Sequence, residues 1–437
     1  MIWTAGTGFP STGMLLAHGV GGRQDLPIPF AAALAGAVVA LLVSFAALGY
    51  LWREPRLAGV AAYLRRPAWP LQLAGLIAAG YFCVGLLFGP DTPENPTAGV
   101  FYVLFWVGMV PLSLVFGPVW RHLNPLRTLH QAACALLRRD PARGWRPLPA
   151  GVGYWPAAAG LFAFVWLELV APERATLPVI SLWLALYAVA MLTGAAVYGS
   201  GWFDRGDTFE AYSTVVGSMA PIVRQDGRFA FRNPLDGMAG LPHAPGLPAL
   251  IIVLLGSTMY DSVSNAPVWV RVVQESGLPA PLLGTLGLIV VIALVAAIFL
   301  VATTWAARLG QVSPRTVAIE LAHSLVPIAV GYLVAHYFTL FLFEGQRTLA
   351  RLSDPLDTGA NWLGTADWTL QSLGATPAAI AMLQVTVIVL GHILGTALAH
   401  DRALTLFPHR TAVAGQVPLL TLMVIYTVLG LFLLFAA

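Results

Sequence analysis

Read from the first residue, the chain alternates long apolar stretches with short polar ones. The apolar stretches carry neither the two-residue alternation of a half-buried strand nor the one-sided stripe of a soluble helix. Ten of them reach the roughly 20 residues that a helix needs to cross a bilayer. They lie near 28–52, 71–89, 97–117, 152–171, 177–199, 248–272, 282–306, 315–343, 378–400 and 415–436. In hydrocarbon every backbone N–H and C=O must be satisfied within the protein, so these segments are predicted to be helices. The fold class is all-α, a polytopic transmembrane bundle with one domain over 28–437 and an extracytoplasmic segment over 1–27.

Composition strengthens this reading. Of 437 residues, 58% are hydrophobic and only 10% charged, whereas a soluble domain carries about 25% charged residues. So little charge cannot cover a water-exposed surface of this size. The lipid bilayer is therefore the expected partner and a multi-pass position in the plasma membrane the expected location; nothing in the chain points to nucleic acid.

Arginine sets the orientation. All 23 basic residues are arginine. With the N-terminus outside, the inner segments hold 18 of them and the outer segments only Arg23, Arg174, Arg271, Arg347 and Arg351. That asymmetry satisfies the positive-inside rule and, with an even number of spans, places both termini outside. The long inner loops 118–151 and 200–247 each carry an Asn-Pro-Leu turn beside arginine, Arg121 to Arg127 (RHLNPLR) and Arg232 to Asp236 (RNPLD). The outer loop 344–377, rich in Asp, Trp and Gly, is placed to cap an outward-facing cavity. Cys83 and Cys134 fall on opposite sides, so no disulfide is expected, and residues 1–17 lack the apolar core of a cleavable signal peptide.

Against this apolar background, ionisable residues inside a span cost about 2.5–3.5 kcal/mol each on the insertion scale and tend to be functional and to face inward. Helix geometry sorts them into two levels. The outer level holds Glu168, Asp261 and His336, and His18 and Asp25 of the N-terminal segment lie on the same side. The inner level holds Glu320 and His323, neighbours at i and i+3, with His392, His400 and Asp401 approaching from the antiparallel ninth span. His336 stands 13 residues beyond His323, about 20 Å up the axis, so one site takes both only if Pro327 bends the helix.

Imidazoles with carboxylates suit a divalent transition metal such as zinc or copper, and a metal-bound water is a nucleophile near neutral pH. The candidate ligands are His18, Asp261 and His336, with Asp261 and Glu168 as catalytic carboxylates; Glu320, His323, His392, His400 and Asp401 form a second, inner candidate group. Two bland readings compete: a proton or ion relay, and histidines that only satisfy backbone carbonyls. On the first long inner loop, Arg121, His122, Arg127 and His130 suit anionic lipid headgroups, but such residues are more often plain topology determinants. No Walker loop, GxGxxG, GxSxG or CxxCH motif is present, which argues against nucleotide hydrolysis, Rossmann chemistry, an α/β-hydrolase and c-type cytochromes.

Several segments together, AHGVGGRQDLPIP, FGPVWRHLNPLR, VAHYFTLFLFEGQ, LGHILGTALAHDRAL and YDSVSNAP, resemble an actinobacterial multispanning membrane family commonly labelled fenitrothion hydrolase. The likeness runs from His18 to the ninth span. It implies a membrane-bound hydrolase of apolar organophosphorus esters, a phosphoric triester hydrolase, and carries over no catalytic residues. In that family an apolar, signal-like stretch precedes Ala-His-Gly; here only Met14, Leu15 and Leu16 stand before Ala17. The alternatives to a hydrolase are a transporter of a metal ion, proton or small solute, for which the two levels would be stations along a path, and a copper-handling or assembly subunit.

Overall fold

The computed structural model describes residues 23–59, 69–225, 228–408 and 410–436, and it is 74% helical. Ten helices are long and apolar enough to cross a membrane: Phe30–Leu51, Trp69–Phe88, Thr97–Phe116, Ala150–Leu169, Leu177–Tyr198, Leu247–Asn265, Ala280–Gly310, Pro314–Arg351, Pro377–Leu406 and Ala414–Phe435, here spans 1 to 10. Each matches one apolar stretch of the sequence. The chain is a polytopic helical membrane protein.

Spans 6 and 8 form the centre, with 72% and 78% of their apolar windows buried, whereas spans 1 and 2 are at 17% and face outward. Among helices that share a lipid solvent, association rests on close packing rather than on expulsion of apolar surface. Spans 8 and 9 show how this is done. A Cβ on Gly391 would stand 2.4 Å from the carbonyl oxygen of Pro327, one on Gly395 2.6 Å from that of Ser324, and one on Gly331 2.6 Å from that of Val387. Glycine brings the two backbones together at three places.

Local breaks follow from sequence. Span 8 is interrupted by a 3-10 turn at Ala322–Leu325, immediately before Pro327, because proline cannot donate to the preceding turn. Span 8 then runs on to Arg351, so the loop that follows is shorter than the sequence predicts. Span 3 contains a π-helical stretch, Val100–Val107. Span 6 ends at Asn265, where Ala266 is extended ahead of Pro267, as a residue before proline prefers. Beyond it the amphipathic helix Pro267–Glu275 buries none of its residues and leads to span 7.

Both Asn-Pro-Leu turns are helix starts of one design. Asn124 caps the helix Pro125–Leu136 by accepting from the backbone N–H groups of Leu126 and Arg127, and Asn233 caps Pro234–Ala239 by accepting from Leu235. In each the proline occupies the first turn, where its missing N–H costs nothing. Between span 5 and the second of these lie a short helix, Thr208–Gly217, buried along almost its whole length, and an antiparallel hairpin pairing Ile222 with Phe231.

Aromatic side chains pack this half of the bundle. Phe164 of span 4 meets Phe101 and Trp106 of span 3, Trp183 of span 5 and Phe209 of the short helix, with ring centroids 4.8–5.6 Å apart. Trp106 stacks on Tyr212 at 4.5 Å. Such pairs add about 0.5–1.5 kcal/mol each beyond their buried area.

Candidate functional site

Span 6 is apolar up to Gly256 and then polar on one face: Ser257, Thr258, Asp261, Ser262 and Asn265. Several of these turn back onto their own helix, Ser257 and Thr258 donating to the Leu254 carbonyl and Ser264 and Asn265 to that of Asp261. Asp261 and Ser262 instead reach across to span 8.

There the Asp261 carboxylate meets His336, with His336 Nε2 donating to Asp261 Oδ2 at 2.8 Å. The Tyr337 hydroxyl donates to the same oxygen at 3.0 Å, and Asn265 Nδ2 to Oδ1 at 3.2 Å. The second ring nitrogen, Nδ1, lies 3.2 Å from Ser262 Oγ, which in turn lies 2.9 Å from the Tyr332 hydroxyl. Asp261 and His336 are only 7% and 9% exposed. A buried carboxylate is tolerated when hydrogen bonds replace water, and here His336, Tyr337 and Asn265 supply them. The matching depth that the sequence assigns to these two residues is therefore a direct bond.

Glu168, one residue before the end of span 4, feels the charges of Asp261 and of Arg174. Its Oε2 is buried and has no hydrogen-bond partner among the described residues. His18 lies outside the described residues.

The inner five residues are placed differently. Glu320 pairs its carboxylate with Arg402 and with His243 Nδ1, the latter at 3.0 Å. His323 donates through Nδ1 to the Glu320 backbone carbonyl at 2.8 Å, with its ring 6.2 Å from that of His243. His392 donates to the carbonyl of Ile388, one turn earlier on its own helix. His400 bonds the side-chain oxygen of Gln416 and the Trp52 carbonyl, and Asp401 Oδ1 accepts from Trp52 Nε1, Arg56 N and Leu57 N. Glu320 and His323 thus keep company with His243 and Arg402, His400 and Asp401 clasp the end of span 1, and His392 stands apart. Burial lowers the pKa of His243, which sits outside the spans, against the pull of Glu320 and with the push of Arg402.

A transition-metal site in proteins takes three or four donors; His336 and Asp261 supply two, and His18 lies outside the described residues. Among the described residues no group of three or more His, Cys, Asp or Glu side chains is arranged to hold a metal ion.

Sequence reasoning passed over the most highly charged buried cluster. Arg127 donates through Nε to Glu210 Oε2 at 3.0 Å and through a terminal nitrogen to Glu210 Oε1 and Asp204. Asn124 Nδ2 donates to Asp207 at 2.9 Å, and Arg121 pairs with Asp204 at 2.9 Å. His122 is 2% exposed and neither ring nitrogen has a partner among the described residues; burial, then the nearby Arg121 and Arg127, push its pKa down to about 4. Arg127 and His122 are therefore interior groups, turned away from lipid headgroups. The available signal was Asp204, Asp207 and Glu210 spaced at three residues beside apolar side chains. No family model, curated protein or solved structure matches the chain.

Proposed function

We propose that this protein is a proton-handling membrane carrier and that Asp261 and His336 are the station where its proton is taken up and released. One observation carries the reading: Tyr332, Ser262, His336, Asp261 and Tyr337 form a continuous hydrogen-bonded line between the two most buried spans. Ionisable groups held inward at such depth commonly serve ion or proton pathways. Moving the proton from His336 Nε2 to Asp261 Oδ2 converts an ion pair into two neutral groups. A neighbouring solute or charge that favours one of these arrangements would bias the dyad toward it. The test uses proteoliposomes containing a pH-sensitive dye, with a potassium diffusion potential to drive proton movement. Proton flux above that of protein-free vesicles is expected, falling to the protein-free rate for Asp261→Asn and His336→Gln. Equal flux with and without protein would end the proposal.

A second reading has its own observation. Ser262 Oγ, His336 and Asp261 stand in the order nucleophile, base and acid, and the sequence resembles the membrane-bound organophosphorus hydrolases. In this reading Ser262 attacks phosphorus, His336 Nδ1 takes its proton, Asp261 holds the imidazolium, and the aryloxide leaves. Water then hydrolyses the phosphoseryl ester with His336 as base. An apolar ester would reach the site from the bilayer. Metal assistance by zinc or copper would need His18 or another third donor beside His336 and Asp261. Release of nitrophenolate from a thiophosphate triester, lost in Ser262→Ala by up to about 10⁶-fold, supports this reading; equal rates in wild type and variant remove it.

A further inference from the structure

The connection between spans 3 and 4 holds an amphipathic helix, Pro125–Leu136, mounted the wrong way round for water. A soluble helix turns its apolar face inward. Here the polar residues face the protein. Arg127 is buried on Glu210, Gln131 accepts from Gln72 Nε2 of span 2 at 2.7 Å, and the His130 ring lies 6.0 Å from that of Phe203. The opposite stripe, Leu129, Ala132, Ala133 and Leu136, is apolar and exposed. Leu136 is 85% accessible, and Leu137 and Trp145 follow it at 64% and 76%.

Contacts at both ends set the level of this surface. Gln72 belongs to the first turn of span 2, about 4.5 Å from where that helix begins. Farther along, the Arg146 N–H donates to the Val197 carbonyl and the Ser200 N–H to that of Pro141, both at 2.8 Å. Val197 is the last residue but one of span 5. The apolar stripe and Trp145 thus stand at the ends of two spans, where acyl chains give way to headgroups, a level that tryptophan favours. Charge completes the pattern. Arg138, Arg139, Arg143 and Arg146 are all exposed and share the stretch 137–149 with a single acid, Asp140. Asp140 lies 3.5 Å from Arg143. Arg138, Arg139 and Arg146 have no side-chain partner among the described residues.

We propose that this surface docks anionic phospholipid, the helix laying its leucines in the acyl boundary while the arginines that follow it hold headgroup phosphates. Exposed leucines beside unmatched cations are the mark of a helix that lies in a membrane interface. A guanidinium meets phosphate with two parallel hydrogen bonds. A zwitterionic headgroup brings its own cation, so surplus positive charge selects lipids with net negative charge. An acidic soluble protein would satisfy the arginines but leave the leucine stripe at the depth of the span ends. The headgroup ligands are therefore the arginines beyond the helix, in place of the interior Arg127 and His122. One rigid element carries lipid on its outer face and, through Arg127, the Glu210 carboxylate on its inner face. The surface is independent of what Asp261 and His336 do.

The experiment takes the full-length protein in nanodiscs of phosphatidylcholine with a minor share of phosphatidylglycerol and counts, by native mass spectrometry, the phosphatidylglycerol retained per protein. Wild type is expected to keep this lipid in preference to phosphatidylcholine, and Arg138→Gln/Arg139→Gln to keep less of it. Arg308→Gln/Arg315→Gln removes the same charge from exposed positions on spans 7 and 8, and its count should match wild type. A count unchanged by the first pair, or lowered as much by the second, overturns the proposal. The leucine face is read separately, in a Cys83→Ser/Cys134→Ser background. Leu136→Cys should react with a membrane-impermeant maleimide roughly tenfold more slowly than Asp367→Cys, since an interfacial helix sinks its apolar face below the headgroups. Equal rates would mean that the stripe is open to water and to a soluble partner, and would overturn the lipid assignment.

Discussion

Trp52 and Asp401 lie 349 positions apart, yet the indole Nε1 of the first donates to the carboxylate of the second at 3.0 Å. The same oxygen takes the backbone N–H groups of Arg56 and Leu57, and the Trp52 carbonyl bonds His400 on the other side. The end of span 1, a helix with few buried residues of its own, is thereby fastened to span 9. A terminus tied down by hydrogen bonds is fixed more firmly than its apolar contacts alone would allow.

Asp401→Asn tests this clasp. The amide keeps one acceptor but loses the charge that strengthens three donors, at a cost of about 1–3 kcal/mol. A lower Tm and faster proteolysis near residues 53–59 are expected. Limited digestion that cuts wild type and variant equally would show that the clasp contributes nothing.

The closeness of spans 8 and 9 predicts intolerance at Gly391. A methyl there meets the Pro327 carbonyl, whereas one on Gly80 of span 2 meets nothing within 4 Å. Gly391→Ala should cost about 1–3 kcal/mol through backbone displacement, and Gly80→Ala nothing measurable or a slight gain. Thermal unfolding of the two variants side by side checks the contrast.

His122 predicts acid sensitivity. Its ring is held neutral in the fold with a pKa of about 4, against 6.5 for an ordinary histidine. A histidine depressed in this way stabilises the fold above its unfolded pKa, and that stability drains away as pH falls from 6.5 toward 4. His122→Leu removes the titration and two buried ring nitrogens, so its Tm should fall less steeply over that window. A variant that tracks wild type through the same acid range would contradict the assignment.

How far the sequence discloses this molecule depends on the kind of constraint. The spans were legible because lipid demands long apolar runs, and the pairing of Asp261 with His336 because two ionisable groups at one depth must find partners. Their companions Ser262, Tyr332 and Tyr337 were not legible, since serine and tyrosine are ordinary in a helix and only rotation about the helix axis decides what they face. The inner histidines share a depth, but their partners come from elsewhere in the chain: Gln416, Trp52 and His243. Depth is written in the sequence, whereas azimuth comes from packing. Asp207 and Glu210 escaped notice because they sit in a segment read as loop, where acidic residues need no explanation.

The helix Thr208–Gly217 also bears on how the protein is made. Each span can enter lipid on its own hydrophobicity as it leaves the ribosome, but this segment carries Glu210 and is too short to stay there unaided. It packs on spans 3 and 4 and reaches span 8, which is synthesised more than 100 residues later. Until that span arrives the helix is without part of its shelter, so its seating belongs to a late step of assembly. A chain cut short before span 8 would present its buried acids to membrane quality control.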